Sequence, residues 1–371
     1  MFLKDCLNNE KKKLIFFLPE FVCGGAGKSI TSLCKNLNKR IFSITIICLN
    51  KCYYKNQLKK FCKIYEINSN KVIFAQNEIG RIIKKEILNN SDNIFISNLF
   101  HTNALTALFQ SNHSNLKLIF TERTAFKELS IYFGFYDFIK KFIIKTILKF
   151  YYNKANLVIA NSKKVATEIR NYTKVKTNYV YPGSFKKLIV KKNKYKKIYN
   201  IISIGRLSKE KGFDLLIKSF VNIDKKRYKL SIIGDGNEKK KIFNLIKNNK
   251  LEDNIKILGF KKDVYPYIKK ADLLINSSYF EGFPNVVVEA LSCSVPVICS
   301  RSHGGIYEIL KNETYGDLFI NGNTYDLEKK INNFFKDPTK LIKKCHKAKL
   351  DLQKFSEIKS AKKYENIFLN L

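Results

Sequence analysis

Hydrophobic residues in the first half of the chain fall into short apolar runs separated by amphipathic stretches. Short apolar runs between polar or glycine-containing segments are typical of buried strands, whereas apolar positions three or four residues apart are typical of helices. The pattern predicts strands at 14–18, 44–49, 94–97, 116–121 and 157–161, alternating with helices that end near residue 39 and that span 79–88 and 102–110. This alternation favours a parallel, doubly wound α/β sheet.

The same alternation resumes in the second half, with strands predicted at 200–204, 230–233, 272–278 and 295–299. Between the two series, residues 185–199 are rich in lysine and lack a clear period, which is typical of a linker. The tail from residue 326 is helical in pattern, with a break at 354–356. We therefore predict two α/β domains, at 1–184 and 200–354, joined by a linker at 185–199 and followed by a last helix at 355–371.

Length and composition fit two globular domains, because the chain has 371 residues and is 45% hydrophobic. The formal net charge is +38, which attracts phosphorylated ligands, acidic membranes or nucleic acid. Abundant Lys, Asn, Ile, Phe and Tyr with no Trp also fit a bias toward A/T-rich codons, so lysines spread along the chain need no function. We find no recognisable nucleic-acid-binding module and expect no specific nucleic acid partner.

The nine cysteines form no C-x-x-C pair, so we expect buried free thiols in a reducing cytosol rather than a zinc site or disulfide framework. No stretch has the pattern of a signal peptide, and no uncharged apolar run reaches the length that spans a bilayer. These features predict a cytoplasmic protein.

A glycine-rich segment follows the first predicted strand and contains Gly24, Gly25, Gly27, Lys28 and Ser29. It suggests the phosphate loop of a nucleotidase, but the Walker A motif requires a glycine five places before Gly27, where this chain has a valine. A P-loop-like nucleotidase therefore remains an alternative, and a non-catalytic basic protein that binds nucleic acid or membranes is another.

The loop after the strand at 200–204 carries two cations, Arg206 at the strand end and Lys211 at the predicted helix start. Cations that converge beside helix N–H groups suit a diphosphate when no metal is present. Solvated charges on a surface loop are the alternative interpretation.

Two carboxylates eight positions apart, Glu281 and Glu289, flank a Gly/Pro turn between two predicted strands. If a helix begins near Pro284, Asn285 and Glu289 share one helical face. A carboxylate near a helix N-terminus stays ionised and can accept hydrogen bonds from two neighbouring hydroxyls, such as a ribose diol. The run 286–288 could instead form a strand, since periodicity does not settle short apolar runs.

Together these motifs resemble the retaining glycosyltransferases of family 4, whose E-x7-E signature matches Glu281 and Glu289. Further matches are the Gly24-Gly25 loop, the Gly205–Phe213 segment and the Gly234-Asp235-Gly236 turn. The resemblance implies the GT-B architecture, in which two Rossmann-like doubly wound parallel-sheet domains face a cleft. It further implies that the last helix packs back on the first domain, through Tyr364 and Phe368.

The resemblance also implies a reaction without a cofactor or metal, in which a sugar moves from a UDP- or GDP-sugar to a glycan or lipid-linked glycan acceptor. Cell-surface polysaccharide, lipopolysaccharide and related glycan biosynthesis are the implied processes. It makes Glu281, Arg206 and Lys211 the catalytic residues, with Glu281 on the transferred sugar and the two cations on the diphosphate. It places Glu289 on the ribose. The other implied donor-binding residues are Gly25, Gly205, Gly234, Asp235, Gly282, Phe283, Pro284 and Asn285.

On the acceptor side, His101 ends a strand-to-helix turn of the first domain. Some relatives carry a cleft histidine after the next strand, whereas this chain has Thr121-Glu122-Arg123-Thr124 there. We expect Glu122 and Arg123 to be substitute substrate contacts.

Residues 138–152 form the one stretch with the pattern of a membrane-binding helix. Ile139, Phe142, Ile143, Ile147 and Phe150 follow helical spacing, beside a stripe of Lys141, Lys145 and Lys149. A basic amphipathic helix can lie in an anionic headgroup layer, gaining about 1 kcal/mol per lysine near the surface. The expectation is peripheral contact with the inner face of the cytoplasmic membrane; a core-facing helix with a solvated lysine side is the alternative.

Overall fold

The computed structural model describes residues 11–21, 24–87, 93–110, 116–132, 134–191 and 195–371. Val22 and Leu88, which bear on the phosphate-loop and helix predictions, lie outside these ranges. The chain divides into two compact units, one formed by Met1–Gly183 with Glu357–Leu371 and the other by Ser184–Ser356.

The first unit contains a sheet of seven parallel strands in the order β3-β2-β1-β4-β5-β6-β7. Its strands are β1 (Lys12–Glu20), β2 (Phe42–Leu49), β3 (Lys63–Ile67), β4 (Asn93–Asn98), β5 (Leu116–Glu122), β6 (Leu157–Ala160) and β7 (Thr177–Tyr179). Its helices are α1 (Gly25–Asn36), α2 (Lys55–Leu58), α3 (Gln76–Glu86), α4 (Phe100–Phe109), α5 (Phe135–Tyr151) and α6 (Lys163–Thr173). The central strands are apolar along their length because both faces of the sheet are covered.

The second unit repeats this plan with six parallel strands in the order β10-β9-β8-β11-β12-β13. Its strands are β8 (Tyr199–Ile204), β9 (Tyr228–Ile233), β10 (Ile255–Ile257), β11 (Leu273–Asn276), β12 (Val297–Ser300) and β13 (Asp317–Phe319). Its helices are α7 (Phe213–Lys218), α8 (Lys239–Asn248), α9 (Tyr265–Lys270), α10 (Asn285–Ser292), α11 (Ile306–Leu310), α12 (Thr324–Lys336), α13 (Pro338–Lys347) and α14 (Lys349–Leu352).

The strand order reverses direction in both sheets, at β1/β4 in the first and at β8/β11 in the second. This order is that of the doubly wound dinucleotide-binding fold, in which ligands bind outside the carboxyl ends of the strands at the reversal. The predicted parallel, doubly wound sheets are therefore confirmed. The two reversals are the positions at which a site is expected in each unit.

The last helix, α15 (Glu357–Leu369), belongs to the first unit. Its residues Ala361, Tyr364 and Phe368 are buried in the same apolar cluster as β1 and α1. The Phe368 ring meets the Phe16 ring edge-on, with centroids 6.4 Å apart. The final residues of the chain thus complete the core built by its first strand.

The segment 185–199, assigned to a linker by its composition, makes specific contacts with the second unit. The Ile189 N–H donates to the Ser292 carbonyl at 2.7 Å, and Lys196 Nζ donates to Asp272 Oδ1 at 2.8 Å. Phe185 is buried and pairs with Ser356 in an isolated bridge. Lys196 therefore anchors part of this irregular segment to the second unit.

Seven of the nine cysteines lie in the described ranges, and all seven are buried free thiols, as expected. Within those ranges, no helix combines the length and apolar character needed to cross a bilayer.

Candidate active site

The loops at the β8/β11 reversal carry the cations and acidic residues singled out in the second half of the sequence. Gly205 directly follows β8, and its N–H donates to the Ile233 carbonyl at 3.0 Å, extending the register with β9. Arg206 comes next and is exposed. Its guanidinium makes no hydrogen bond or ion pair with the residues that the structure describes, so the charge is available to a ligand.

Lys211 reaches the same reversal from the turn before α7. The Ser277 hydroxyl donates to the Lys211 carbonyl at 3.0 Å, which joins this turn to the end of β11. Gly212 makes the approach possible, because its φ is +61° and a Cβ there would lie 2.3 Å from the Ser277 carbonyl oxygen. A side chain at this position would clash with that oxygen and force the two loops apart.

The Lys211 ammonium donates to Glu281 Oε1 at 2.5 Å, and the Ser278 hydroxyl donates to the same oxygen at 2.9 Å. The structure thus brings Lys211 and Glu281 together, and Lys211 is paired with the carboxylate. No local pattern indicates this pair, since 70 positions separate the two residues along the chain. Ser278 was also missed, although it is the last residue of the predicted strand at 272–278.

The Glu281 backbone is fixed by the turn that follows β12. Its N–H donates to the His303 carbonyl at 3.1 Å, and the Gly305 N–H donates to the Gly282 carbonyl at 2.8 Å. Gly304 has a φ of +112°, and a Cβ there would lie 1.7 Å from the Glu281 carbonyl oxygen. The two turns therefore pack backbone against backbone, which holds Glu281 at the edge of the sheet.

The apolar run 286–288 lies in α10, so the strand interpretation of that run is wrong. The helix begins at Asn285, and Asn285 and Glu289 lie one turn apart, on one face, as predicted. Glu289 is almost fully buried. The Asn285 side-chain carbonyl accepts a hydrogen bond from the Ser184 hydroxyl at 2.9 Å, so this side chain has a structural partner.

Several predicted donor-binding residues have side chains that serve the fold. The Phe283 ring packs against Phe355, with centroids 5.3 Å apart, and Pro284 is buried beside it in the chain. Gly234 packs on the Gly205 carbonyl. Only backbone atoms of the segment 282–284 can therefore contact a ligand. The buried Phe283 ring is not a donor contact, which corrects the prediction for that side chain.

Asp235 is exposed at the end of β9. Its carboxylate accepts the Gly236 N–H at 2.9 Å and Lys239 Nζ at 3.3 Å, and these bonds lower the pKa of Asp235 below its ordinary value. A carboxylate already satisfied in this way serves the turn, while its exposed position still allows contact with a ligand.

In the first unit, Gly25 opens α1, and Gly27, Lys28 and Ser29 lie within its first two turns. A phosphate loop would keep irregular backbone up to the lysine, whereas this backbone is already helical from Gly25, three residues before Lys28. The helix geometry therefore argues against the nucleotidase alternative.

His101 is the second residue of α4, which follows β4 at the reversal of the first sheet. Burial, together with the charge of Lys140, lowers the pKa of the His101 imidazole to about 4. The ring is therefore neutral at pH 7, and one of its nitrogens can accept a hydrogen bond there.

Glu122 differs from its prediction as an acceptor-side contact. Glu122 is fully buried at the end of β5, where its Oε1 accepts a hydrogen bond from Asn103 Nδ2 at 2.7 Å and another from the Tyr152 hydroxyl. Burial raises the pKa of Glu122 to about 8. A substrate cannot reach this carboxyl, so its predicted role is wrong, because desolvation and internal partners fix it in the core.

Arg123 is half-buried and is held by neighbouring strands. Its Nε donates to Asn98 Oδ1 at 3.2 Å, and its carbonyl accepts a hydrogen bond from Asn161 Nδ2 at 2.6 Å. Because Nε is already bonded, a substrate could contact Arg123 only through the two terminal nitrogens of its guanidinium group.

Within the described ranges, no group of three or more His, Cys, Asp or Glu side chains is arranged to hold a metal ion. The candidate site therefore consists of the Arg206 and Lys211 cations, the Glu281 and Glu289 carboxylates, and the backbone that leads into α10.

Two doubly wound parallel sheets in one chain, with this site at the reversal of the second, define the GT-B class of glycosyltransferases. The model of the family described as "Glycosyltransferase Family 4" matches residues 23–183, and that of "Glycosyl transferases group 1" matches residues 184–351. The chain belongs to this family and is a glycosyltransferase. Neither alternative function finds support among these matches.

Relatives and solved structures agree with this assignment. The chain is 27% identical to the N-acetylgalactosamine-N,N'-diacetylbacillosaminyl-diphospho-undecaprenol 4-alpha-N-acetylgalactosaminyltransferase of Campylobacter jejuni, over 95% of this chain and 98% of that protein. It is 31% identical to the O-antigen biosynthesis glycosyltransferase WclY of Escherichia coli, over 49% of this chain and 51% of that protein. Its fold matches Anabaena HepE in complex with UDP-glucose with a TM-score of 0.79 and 18% identity, covering 97% and 100% of the two chains.

Proposed function

We propose that this glycosyltransferase moves a sugar from a UDP- or GDP-sugar to a glycan or lipid-linked glycan acceptor, with retention of configuration. The observation that carries the proposal is the position of Arg206, Lys211 and Glu281 at the β8/β11 reversal. Cations and exposed backbone at such a reversal suit a nucleotide diphosphate. The HepE complex with UDP-glucose supports a UDP-sugar as the donor.

In this proposal the bond between the sugar C1 and the diphosphate oxygen breaks, and negative charge develops on the departing diphosphate. Arg206 and Lys211 stabilise that charge where it forms. The acceptor oxygen bonds to C1 on the same face, and its proton passes to the departing phosphate. Glu281 orients the sugar through its hydroxyls, and Glu289 holds the ribose diol. Since the two cations supply the counter-charge, the reaction needs no metal.

The acceptor class rests on the relatives. The Campylobacter protein is named for transfer to a diphospho-undecaprenol-linked glycan, and WclY for O-antigen biosynthesis. A lipid-linked glycan used for a cell-surface polysaccharide or lipopolysaccharide is therefore the proposed acceptor. The neutral His101 imidazole and the outer part of Arg123 are the proposed acceptor contacts at the edge of the first sheet.

A lipid-linked acceptor requires the enzyme to approach a membrane, and α5 has a surface suited to this. Ile144 and Leu148 form its buried side. Phe142, Ile143 and Phe150, which a core-facing helix would bury, are 60%, 51% and 61% exposed. Lys140 and Lys149 are exposed on the same helix, whereas Lys141 is paired with Asp137 at 2.8 Å. We infer that α5 lies peripherally on the anionic cytoplasmic face of the membrane.

The experiment that tests the donor proposal is nucleotide release from UDP-glucose, UDP-galactose, UDP-N-acetylglucosamine, UDP-N-acetylgalactosamine and GDP-mannose. We expect release from at least one donor, undiminished by EDTA, and a reduction of about a hundredfold in Arg206→Ala because a charge-stabilising group is lost. The control is Arg301→Ala, which removes another exposed arginine of the same unit, one whose guanidinium is paired with Glu313 at 3.1 Å. Equal release by both variants would remove the diphosphate role of Arg206.

A further inference from the structure

The two oxygens of the Glu281 carboxylate have different surroundings. Oε1 accepts two hydrogen bonds, from Lys211 Nζ at 2.5 Å and from the Ser278 hydroxyl at 2.9 Å. Oε2 accepts no hydrogen bond from any residue that the structure describes. An ionised carboxylate can accept about four hydrogen bonds, so Oε2 keeps its acceptor capacity for a ligand.

The two donors to Oε1 differ in how firmly the fold holds them. Ser278 is 1% exposed and follows β11 in the fully buried centre of the sheet, so its hydroxyl has little freedom. Lys211 carries its ammonium on a flexible four-carbon stem. The lysine supplies the charge that keeps Glu281 in place, whereas the serine supplies a fixed point that sets the plane of the carboxylate.

We propose that Ser278 is a positioning residue for the donor sugar. It holds the Glu281 carboxylate so that Oε2 can accept a hydrogen bond from a hydroxyl of the transferred sugar. The inference rests on the proposed function and adds to it the residue that sets the orientation of Glu281. Without the Ser278 hydroxyl, the carboxylate can pivot about its bond to Lys211 and loses its alignment with the sugar. The charge of the site does not change, because the hydroxyl is neutral.

The proposed role of Ser278 predicts different effects of Ser278→Ala on two ligands that share the same nucleotide, free UDP and a UDP-sugar. Free UDP has no transferred sugar and makes no use of the Glu281 orientation, so Ser278→Ala should bind UDP as the wild type does. A UDP-sugar does use it, so kcat/KM for nucleotide release should fall about tenfold, the size expected for a lost hydrogen bond to a charged group. Ser278→Thr, which keeps a hydroxyl, should restore most of the loss.

Ser277 offers a matched control one position earlier. It is equally buried, at 2% exposed, and its hydroxyl donates to the Lys211 backbone carbonyl instead of to Glu281. Ser277→Ala therefore removes the same group from the same strand end but leaves the carboxylate held. Because the Ser277 hydroxyl holds the turn that carries Lys211, we expect this variant to weaken the binding of free UDP and of UDP-sugars alike, whereas Ser278→Ala should weaken only that of the UDP-sugars.

The test measures UDP affinity by calorimetry and nucleotide release from UDP-glucose, UDP-galactose, UDP-N-acetylglucosamine and UDP-N-acetylgalactosamine for the wild type and the three variants. In a double-mutant cycle, Ser278→Ala should cost almost nothing further in a Glu281→Ala background, because the two residues act as a unit. Weaker binding of free UDP by Ser278→Ala, or additive loss in the cycle, would overturn the positioning role and leave the proposed function intact. A wild type that releases nucleotide from none of the four donors would instead overturn the UDP-sugar proposal itself.

Discussion

Two buried carboxylates of the first unit, Glu86 and Glu122, differ in the partners that surround them. Burial alone would raise the pKa of Glu86, but hydrogen bonds from Lys13, Lys63, Tyr65 and Thr45 outweigh it and lower that pKa to about 2. Glu122 has only neutral donors, so burial raises its pKa to about 8. The side chains that reach each carboxylate thus decide whether it is charged at pH 7.

The raised pKa of Glu122 predicts how stability depends on pH. Between about pH 4.5, where the unfolded group titrates, and pH 8, the folded state binds more protons than the unfolded state, so the free energy of unfolding falls as the pH rises. Glu122→Gln keeps the buried shape without the titration. We expect the fall over this range to be smaller by on the order of a few kcal/mol in the variant, measured by denaturant unfolding at several pH values. Parallel pH profiles for the two proteins would contradict the assignment.

Local sequence patterns identified the charged residues of the site but not their side-chain partners. Arg206 and Lys211 were recognised because both lie in one loop after a strand, and Glu281 and Glu289 because they flank one turn. The bond between Lys211 and Glu281 was not predictable, because a strand order places loops near each other without choosing side-chain partners. Glu122 was misjudged for a related reason, since Tyr152, which binds it, lies 30 positions away with no local signal.

At the scale of elements, the strands that the apolar pattern identified are those covered on both faces. The first unit's β3 and β7 were missed, as were β10 and β13 of the second. All four are edge strands, and each has exposed or half-buried positions, which break the apolar run that marks a buried strand. The helix α5 began three residues earlier than predicted, at Phe135.

The exposed aromatic residues at the start of α5 give a prediction for membrane binding. Phe135 and Tyr136 are 73% and 89% exposed, so replacing both with serine should leave the fold intact and weaken binding to phosphatidylglycerol-containing vesicles about tenfold. The matched control is Tyr325→Ser with Leu350→Ser, because those residues of the second unit are also 73% and 89% exposed. Sedimentation with vesicles measures the effect. Equal losses in the two double variants would show that α5 is not the binding surface.

At the scale of the whole molecule, the chain returns to its first unit after completing the second. Glu365 Oε1 of α15 accepts the Asn38 N–H at 2.6 Å, and the Phe368 carbonyl accepts a hydrogen bond from Lys12 Nζ at 2.8 Å. With the buried Phe368 ring, these contacts make α15 part of the first core. The resemblance to family 4 implied this packing, whereas the helical pattern of the tail alone did not indicate where it packs.

Adjacent residues of α15 provide a test of that packing. Phe368→Ala removes a fully buried ring and should lower the stability of the first unit by about 3–5 kcal/mol. Leu369→Ala, at a side chain that is 48% exposed, should change it by less than about 0.5 kcal/mol. Hydrogen exchange of the β1 amides measures the stability of the first unit separately from that of the second. Unchanged protection of β1 in Phe368→Ala would show that α15 does not support this core.

The proposed activity depends most on nucleotide binding at the β8/β11 reversal, with Glu289 on the ribose. Calorimetric titration of UDP into the wild type and Glu289→Ala tests this directly, with Glu252→Ala, an exposed residue of the same unit, as the control. We predict that Glu289→Ala weakens UDP binding at least about tenfold, because a hydrogen bond to a charged group is lost, while Glu252→Ala binds as the wild type does. Equal UDP affinity in all three proteins would contradict the proposed site.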